Sequence, residues 1–293
     1  MKEYDNLQAL LDDQKREKAS ETRGFMRPLR NEPTVEEFME LMRRHGLEDD
    51  VRHLDDLLSS LDGVEKEFSD MRDKIISLQS EVDQLNGNTP LTEQFKKEMN
   101  ARSVNMWLRM EDLSQRFLDT KDAIISACKE GLANFIEKGH SALHKACAAI
   151  YTAGISFYEQ KLETDKNFKS YSAEVIDRVD QLNDTFQAAR HQRKNLFRVM
   201  ANREPQAGLD SRDDPALMVI RKLSEIDLNM AQKRIDKTEL MLADMKEDLA
   251  YHKEMASRKP SIVDKLKGAK DRSSQQKQAS QTQQRSQRSP TIE

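Results

Sequence analysis

Between Leu54 and Leu85 an apolar residue returns at alternating steps of three and four positions, with no polar interruption. Leu54, Leu61, Phe68, Ile75 and Val82 stand seven apart, and Leu57, Val64, Met71, Leu78 and Leu85 follow each of them by three. A strand alternates its faces with period two, so this spacing fits one side of a helix and not a strand. Five unbroken heptads of this kind are the a and d positions of a helix that pairs with another helix as a coiled coil. The facing helix could belong to the same chain or to another, because an amphipathic helix packed on its own chain carries the same pattern. At the flanking positions Glu67 and Arg72 would attract each other across a parallel dimer. That pair contributes only about 0.3–0.5 kcal/mol, too little to fix orientation.

The rest of the chain reads as further helices separated by rare breaks. Residues 1–33 form a flexible extension with a short amphipathic stretch at Leu7, Leu10 and Leu11 and a linker holding Gly24, Pro28 and Pro33. Thr34 and Glu37 have capping-box spacing and predict the start of a short helix over 34–46, with Val35, Phe38, Leu41 and Met42 on one face and Gly46 ending it. The seam helix is expected over 50–86, closed by Asn86-Gly87-Asn88-Thr89-Pro90, with Thr89 as N-cap and Pro90 as first residue of the next helix. From 90 to 203 no proline interrupts, which implies one long helix or a hairpin of two. Its middle, 123–158, is rich in small residues, and Ala142, Ala146, Ala149 and Ala153 are spaced to let helix backbones approach. A second heptad run places Val175, Leu182, Ala189 and Leu196 at d and Val179, Phe186 and Met200 at a, with Ser172 and Arg193 interrupting its a positions. Asp214 and Pro215 open a last helix to about Ser257, with Leu228, Ile235, Leu242 and Leu249 at d and Ala231, Thr238 and Met245 at a. From Arg258 to Glu293 nine basic and three acidic residues stand among seven Gln and six Ser, the composition of a disordered basic tail. The fold class expected is therefore all-α: long helices with coiled-coil heptads, in an elongated helical bundle or hairpins.

Chemistry is sparse by comparison. Only 37% of residues are hydrophobic against 34% charged, which suits thin helical packing better than a thick layered core around a pocket. No phosphate-cradling, dinucleotide-binding, nucleophile-elbow or CxxC motif occurs. His140, His144 and Cys147 stand at i, i+4 and i+7, so one helix face could present two imidazoles and a thiolate to a metal. The residue after His140 is Ser141 and not the glutamate base of a zincin, and the three are read as packing residues, with no cofactor expected. Arg190, His191, Arg193, Lys194 and Arg198 form a basic cluster that could meet phosphates or an acidic protein surface. The longest uncharged piece, Ala146 to Tyr158, is about 20 Å as a helix, too short to cross a bilayer. Two cysteines, about 28 Å apart on a continuous helix, cannot bridge, and a cytoplasmic setting is expected.

The runs PTVEEFMELMRRHGLEDDVRHLDDLLSSLDGVEKEFSDM, KEGLANFIEKGHSALHK and ARHQRKNLFRVMANRE, within residues 33–205, resemble a family of uncharacterised helical proteins encoded on conjugative and integrative elements of Gram-positive gut anaerobes. The resemblance implies a bacterial protein near conjugation or plasmid-maintenance genes and carries over no functional residue. The function expected is a non-enzymatic scaffold or accessory protein that self-associates or tethers another helical protein, the Leu54–Leu85 seam being its interface. The alternatives are nucleic-acid association through the basic tail and the Arg190–Arg198 face, and a membrane-associated hairpin over 123–158.

Overall fold

The computed structural model describes residues 28–85, 90–208 and 213–258. A 3-10 turn, Leu29–Asn31, precedes five α-helices: α1 Pro33–Arg44, α2 Glu48–Gln84, α3 Pro90–Lys138, α4 His140–Met200 and α5 Pro215–Ser257. No strand occurs among the described residues, so the chain is all-α. The expectations for residues 1–27, for the Thr89 N-cap and for the tail beyond Arg258 lie outside the described residues.

The breaks follow local chemistry. Gly46 takes φ 76°, and the Leu47 N–H donates to the Met42 carbonyl at 3.1 Å, the six-to-one bond that closes a helix end through a left-handed residue. The start of α1 corrects the capping box placed at Thr34. Glu32 is the N-cap and makes no side-chain cap bond, Pro33 is already helical, and the Val35 and Glu36 N–H groups reach the Glu32 carbonyl. Proline suits that first position because its missing N–H is one that a helix start leaves unpaired. At the start of α5 the Asp214 carboxylate accepts from the Ala216 and Leu217 N–H groups at 3.1 and 3.4 Å, the N-cap expected. The region 90–203 is a hairpin of two helices, turned at Gly139 with φ 58°, a conformation that strains any side chain.

The described residues divide into two compact units, one within 28–63 and 125–146, the other within 64–124 and 147–257. In the first, Val35, Phe38, Met39 and Met42 of α1 are buried, as are Leu54, Leu57, Leu58 and Leu61 of α2 and Ala142, Leu143 and Ala146 of α4. Gly131 is what lets the helices close here. A Cβ on it would stand 2.6 Å from Phe38 Cε2 and 2.8 Å from the Ala146 Cβ. The small-residue stripe expected from Ala142 to Ala153 is only partly such an interface, since Ala142 and Ala146 are buried while Ala149 is exposed.

The second unit is a bundle of four helical segments. Met71, Ile75, Leu78, Val82 and Leu85 of α2 share one apolar cluster with Phe95, Met99, Met106 and Met110 of α3, Phe168, Tyr171, Val175, Val179 and Leu182 of α4, and Leu217, Ile220 and Ala231 of α5. Phe68 meets Phe117 edge-on at 6.1 Å between centroids, and Phe117 meets Phe157 at 5.5 Å. All ten seam residues are buried in this single chain. The seam is covered from within, the same-chain alternative that the heptad pattern left open. Glu67 and Arg72 do not face a copy of themselves. Glu67 pairs with Lys161 at 2.8 Å and Arg72 with Glu111 at 3.1 Å.

Candidate interaction surface

Helix α4 outlasts its neighbours. Its heptad stripe runs through Val175, Val179, Leu182 and Phe186, then in the same steps through Ala189, Arg193, Leu196 and Met200. The first three are buried and Phe186 partly so, whereas the last four are exposed. The ion pairs explain the change. Arg178 meets Glu98 at 3.7 Å, so Pro90, eight positions before Glu98, comes level with Phe186, eight positions after Arg178. Asp180 meets Arg221 at 2.9 Å, and by the same count of six Pro215 also comes level with Phe186. Helix α2 runs parallel to α4 and ends at Gln84, before that level. Among the described residues, therefore, residues 187–200, about 21 Å of helix, carry a core-type stripe with no other helix of the bundle alongside.

This end is held in shape. Asn195 donates to the Gln206 carbonyl at 3.2 Å while its own carbonyl oxygen accepts from the Gln206 N–H at 2.9 Å, and Arg198 Nε donates to the Glu204 carbonyl at 2.8 Å. Asn202, at φ 51°, turns the chain so that 203–208 fold back. Asn195 and Arg198 lie on the side of the helix opposite the stripe, so the fold-back leaves the stripe open. Leu196, Phe197 and Met200 are 60, 58 and 74% exposed, and Val199 is exposed beside them. Five basic residues and no carboxylate stand between Ala189 and Arg203. The Arg193 guanidinium lies within the stripe, 5.7 Å from the Phe197 ring centroid. Sequence reasoning found the basic cluster and the heptads as two separate features. The structure brings Arg193 of the basic cluster and the exposed heptad residues Ala189, Leu196 and Met200 onto one face of α4.

A second constellation was missed by sequence reasoning. Inside the four-segment unit Lys161 Nζ lies 2.8 Å from both Asp165 and Glu67, and Arg234 meets the other oxygen of Asp165 at 2.8 Å from across the bundle. Lys74 pairs with Asp227 at 3.0 Å. Burial raises the Asp227 carboxyl above its ordinary range, and the hydrogen bond and charge of Lys74, with the charge of Arg234, oppose that. Ser103 and Tyr171 share a buried hydrogen bond at 3.0 Å. The signal was present, since Tyr158, Lys161, Asp165 and Phe168 keep core spacing on α4. Each charge is matched by an opposite one from another segment, which makes the group a register lock for the bundle.

His140, His144 and Cys147 all lie in the first turns of α4, and no group of three His, Cys, Asp or Glu positioned to hold a metal occurs among the described residues. His45 and His140 rings meet edge-on at 5.6 Å, and His45 lies 4.5 Å from Phe135. Burial, and then the charge of His140, lower the pKa of His144. Burial pushes the Cys128 thiol up to about 12, which removes the thiolate that a nucleophile or metal ligand needs. In the 123–158 region Ile124, Cys128, Leu143, Ile150, Tyr151, Phe157 and Tyr158 are buried in the protein, and among the described residues no helix is long and apolar enough to cross a membrane.

No curated protein and no solved structure matches this chain. A model for a family of unknown function, DUF6674, matches residues 31–289, nearly the whole chain and all of the helices described above. The chain therefore belongs to the family of unknown function DUF6674.

Proposed function

We propose that this protein is a non-enzymatic accessory protein whose four-segment helical unit holds out the 187–200 end of α4 to a protein partner. The observation that carries the reading is the core-type stripe of Ala189, Leu196 and Met200, with Phe197 and Val199 beside it, exposed where the bundle ends. Apolar side chains on a rigid, well-capped helix keep their cost of exposure unless something covers them. The matched charges of the bundle interior fit a scaffold better than an enzyme. The resemblance of residues 33–205 to proteins of conjugative and integrative elements supports a cytoplasmic role beside a mobile element's own machinery, with α4 tethering one of its components. The earlier reading of the Leu54–Leu85 seam as the assembly element gives way to this surface.

The test is site-specific photo-cross-linking in a host that carries the gene. A cross-linker at Leu196 is expected to trap a discrete protein adduct that the same group at Leu240, exposed on α5, does not. Identical adduct patterns at both positions would sink the reading.

A second reading, nucleic-acid association, is favoured by the five basic residues without a carboxylate between Ala189 and Arg203. It calls for binding that weakens steeply between 50 and 200 mM salt and survives Phe197→Ser, because phosphate contacts use charge and not the apolar stripe.

A further inference from the structure

We infer that α5 is a releasable arm of the four-segment unit, built to lift off α2 and α4 reversibly while α2, α3 and α4 stay packed on one another. The first observation is what α5 turns inward. Between Ile220 and Ile235, about four helical turns, its buried residues are Ser224, Asp227 and Ala231, with Leu223 and Leu228 only half-buried. Facing elements are far better supplied: α2 buries Phe68, Met71, Ile75 and Leu78, and α4 buries Phe168 and Tyr171. No aromatic ring of Phe, Tyr or Trp is buried from α5. A helix is held in a bundle chiefly by the apolar face it packs, so α5 is the segment held least firmly along its middle.

The polar groups point the same way. The Ser224 hydroxyl is fully buried without a hydrogen-bond partner, a cost that falls on the docked state alone. Arg221 with Asp180, Lys166 with Glu239 and Lys246 with Glu159 tie α5 to α4 at positions open to water, where ion pairs contribute little. The interior pairs are Lys74 with Asp227 and Asp165 with Arg234. When α5 lifts, Asp165 keeps Lys161 and Lys161 keeps Glu67, so the carboxylate and ammonium left on α4 stay matched. The Ser103–Tyr171 bond between α3 and α4 does not involve α5 at all. As the last of the described helices, α5 can leave while α2, α3 and α4 remain joined to one another. Its start is the hinge: Asp213 accepts from Asn183 at 2.7 Å and from Gln187 at 3.0 Å, and Leu217 and Ile220 are fully buried. The open state uncovers the Phe168 ring, over which the Arg234 guanidinium lies at 5.4 Å, together with Lys74 and Asp165.

The experiment is native-state hydrogen exchange on the full chain, read by mass spectrometry in urea below the unfolding transition. A lifted α5 loses the packing that keeps it helical, so its amides exchange at each opening. Peptides within 224–257 are expected to exchange at least tenfold faster than those within 95–117 of α3 and 168–182 of α4. Their rates should also depend less on urea, because lifting one helix exposes less surface than unfolding the unit. Lys74→Met combined with Asp227→Leu fills the polar stretch with apolar side chains and should slow exchange over 224–257 at least tenfold. If that variant loses helical circular dichroism, Ser224→Ala takes its place, with a slowing of at least threefold expected from removal of the unpartnered hydroxyl. Equal rates and equal urea dependence in α3, α4 and α5 overturn the inference, since α5 would then leave only with the whole unit. Fast exchange confined to 249–257 also overturns it, as fraying of a helix end, and so does an unchanged rate over 224–257 in a folded variant.

Discussion

Lys161 and Asp165, one helical turn apart on α4, are joined at 2.8 Å with both side chains closed off from water. Asp165 also holds Arg234 and Lys161 also holds Glu67, so the pair ties α4 to α5 and to α2 at one level of the bundle. Removing one member strands the others. Asp165→Asn should destabilise by about 3–5 kcal/mol, read as a lower urea midpoint with unchanged slope, because the half-buried Arg234 guanidinium loses its carboxylate and Lys161 is left with Glu67 alone. Replacing Lys161, Asp165 and Arg234 together with apolar residues of similar size should recover most of that loss. A single variant as stable as the parent would mean that the network does not hold the bundle.

Gly131→Ala places a methyl group 2.6 Å from the ring of Phe38 and 2.8 Å from Ala146. Overpacking of this kind costs about 1–3 kcal/mol, against a gain of up to about 1 from the better helix propensity of alanine. The thermal midpoint should fall, and Phe38→Leu in the same chain should restore part of it. A higher midpoint in Gly131→Ala alone would show that the two helices part without cost.

His144 carries the clearest pH dependence. Its pKa in the fold lies below the ordinary value near 6.5, through burial first and the charge of His140 second. The folded chain therefore resists protonation that the unfolded chain accepts, so stability is full above about 6.5 and is lost as pH falls from there through the folded pKa. Thermal midpoints measured from pH 8 to pH 5 should show this decline, and His144→Gln should flatten it. An identical decline in the variant would place the sensitivity elsewhere.

Phe68 stands at the middle of the seam, buried against Phe117. Phe68→Asp should destabilise by several kcal/mol and lower the thermal midpoint accordingly, since a large apolar contact is lost and a charge is buried. Sedimentation should give the same mass for both proteins. A shift from oligomer to monomer would show that the seam pairs between chains.

The heptads of α2, the Gly46 stop and the Asp214–Pro215 start were legible because each depends on a few neighbouring residues. The cap placed at Thr34 was two positions late because Pro33 is itself a good first helical residue, which moves the cap to Glu32. Lys161 and Asp165 were passed over because charged residues at core spacing look like breaks in a stripe until their partners on α2 and α5 are known. Whether the seam closed within one chain depends on which helices reach it, and that is a property of the hairpin turn at Gly139 as much as of the seam. The α4 surface was half legible. Its heptads and its basic residues were plain, but their exposure is set by where α3 and α5 begin, level with Phe186, and nothing in residues 187–200 encodes that.

The central claim is that the stripe of α4 passes from core to open surface at Phe186. The thermal midpoint of the triple variant Leu196→Asp, Phe197→Asp, Met200→Asp, measured on the full chain, tests this most directly. With all three side chains in water their replacement changes stability by no more than about 0.5 kcal/mol per site, and the midpoint should stay within a few degrees of the parent. A fall of the size expected for Phe68→Asp would mean that residues 196–200 are covered by the chain itself, and the docking surface would not exist.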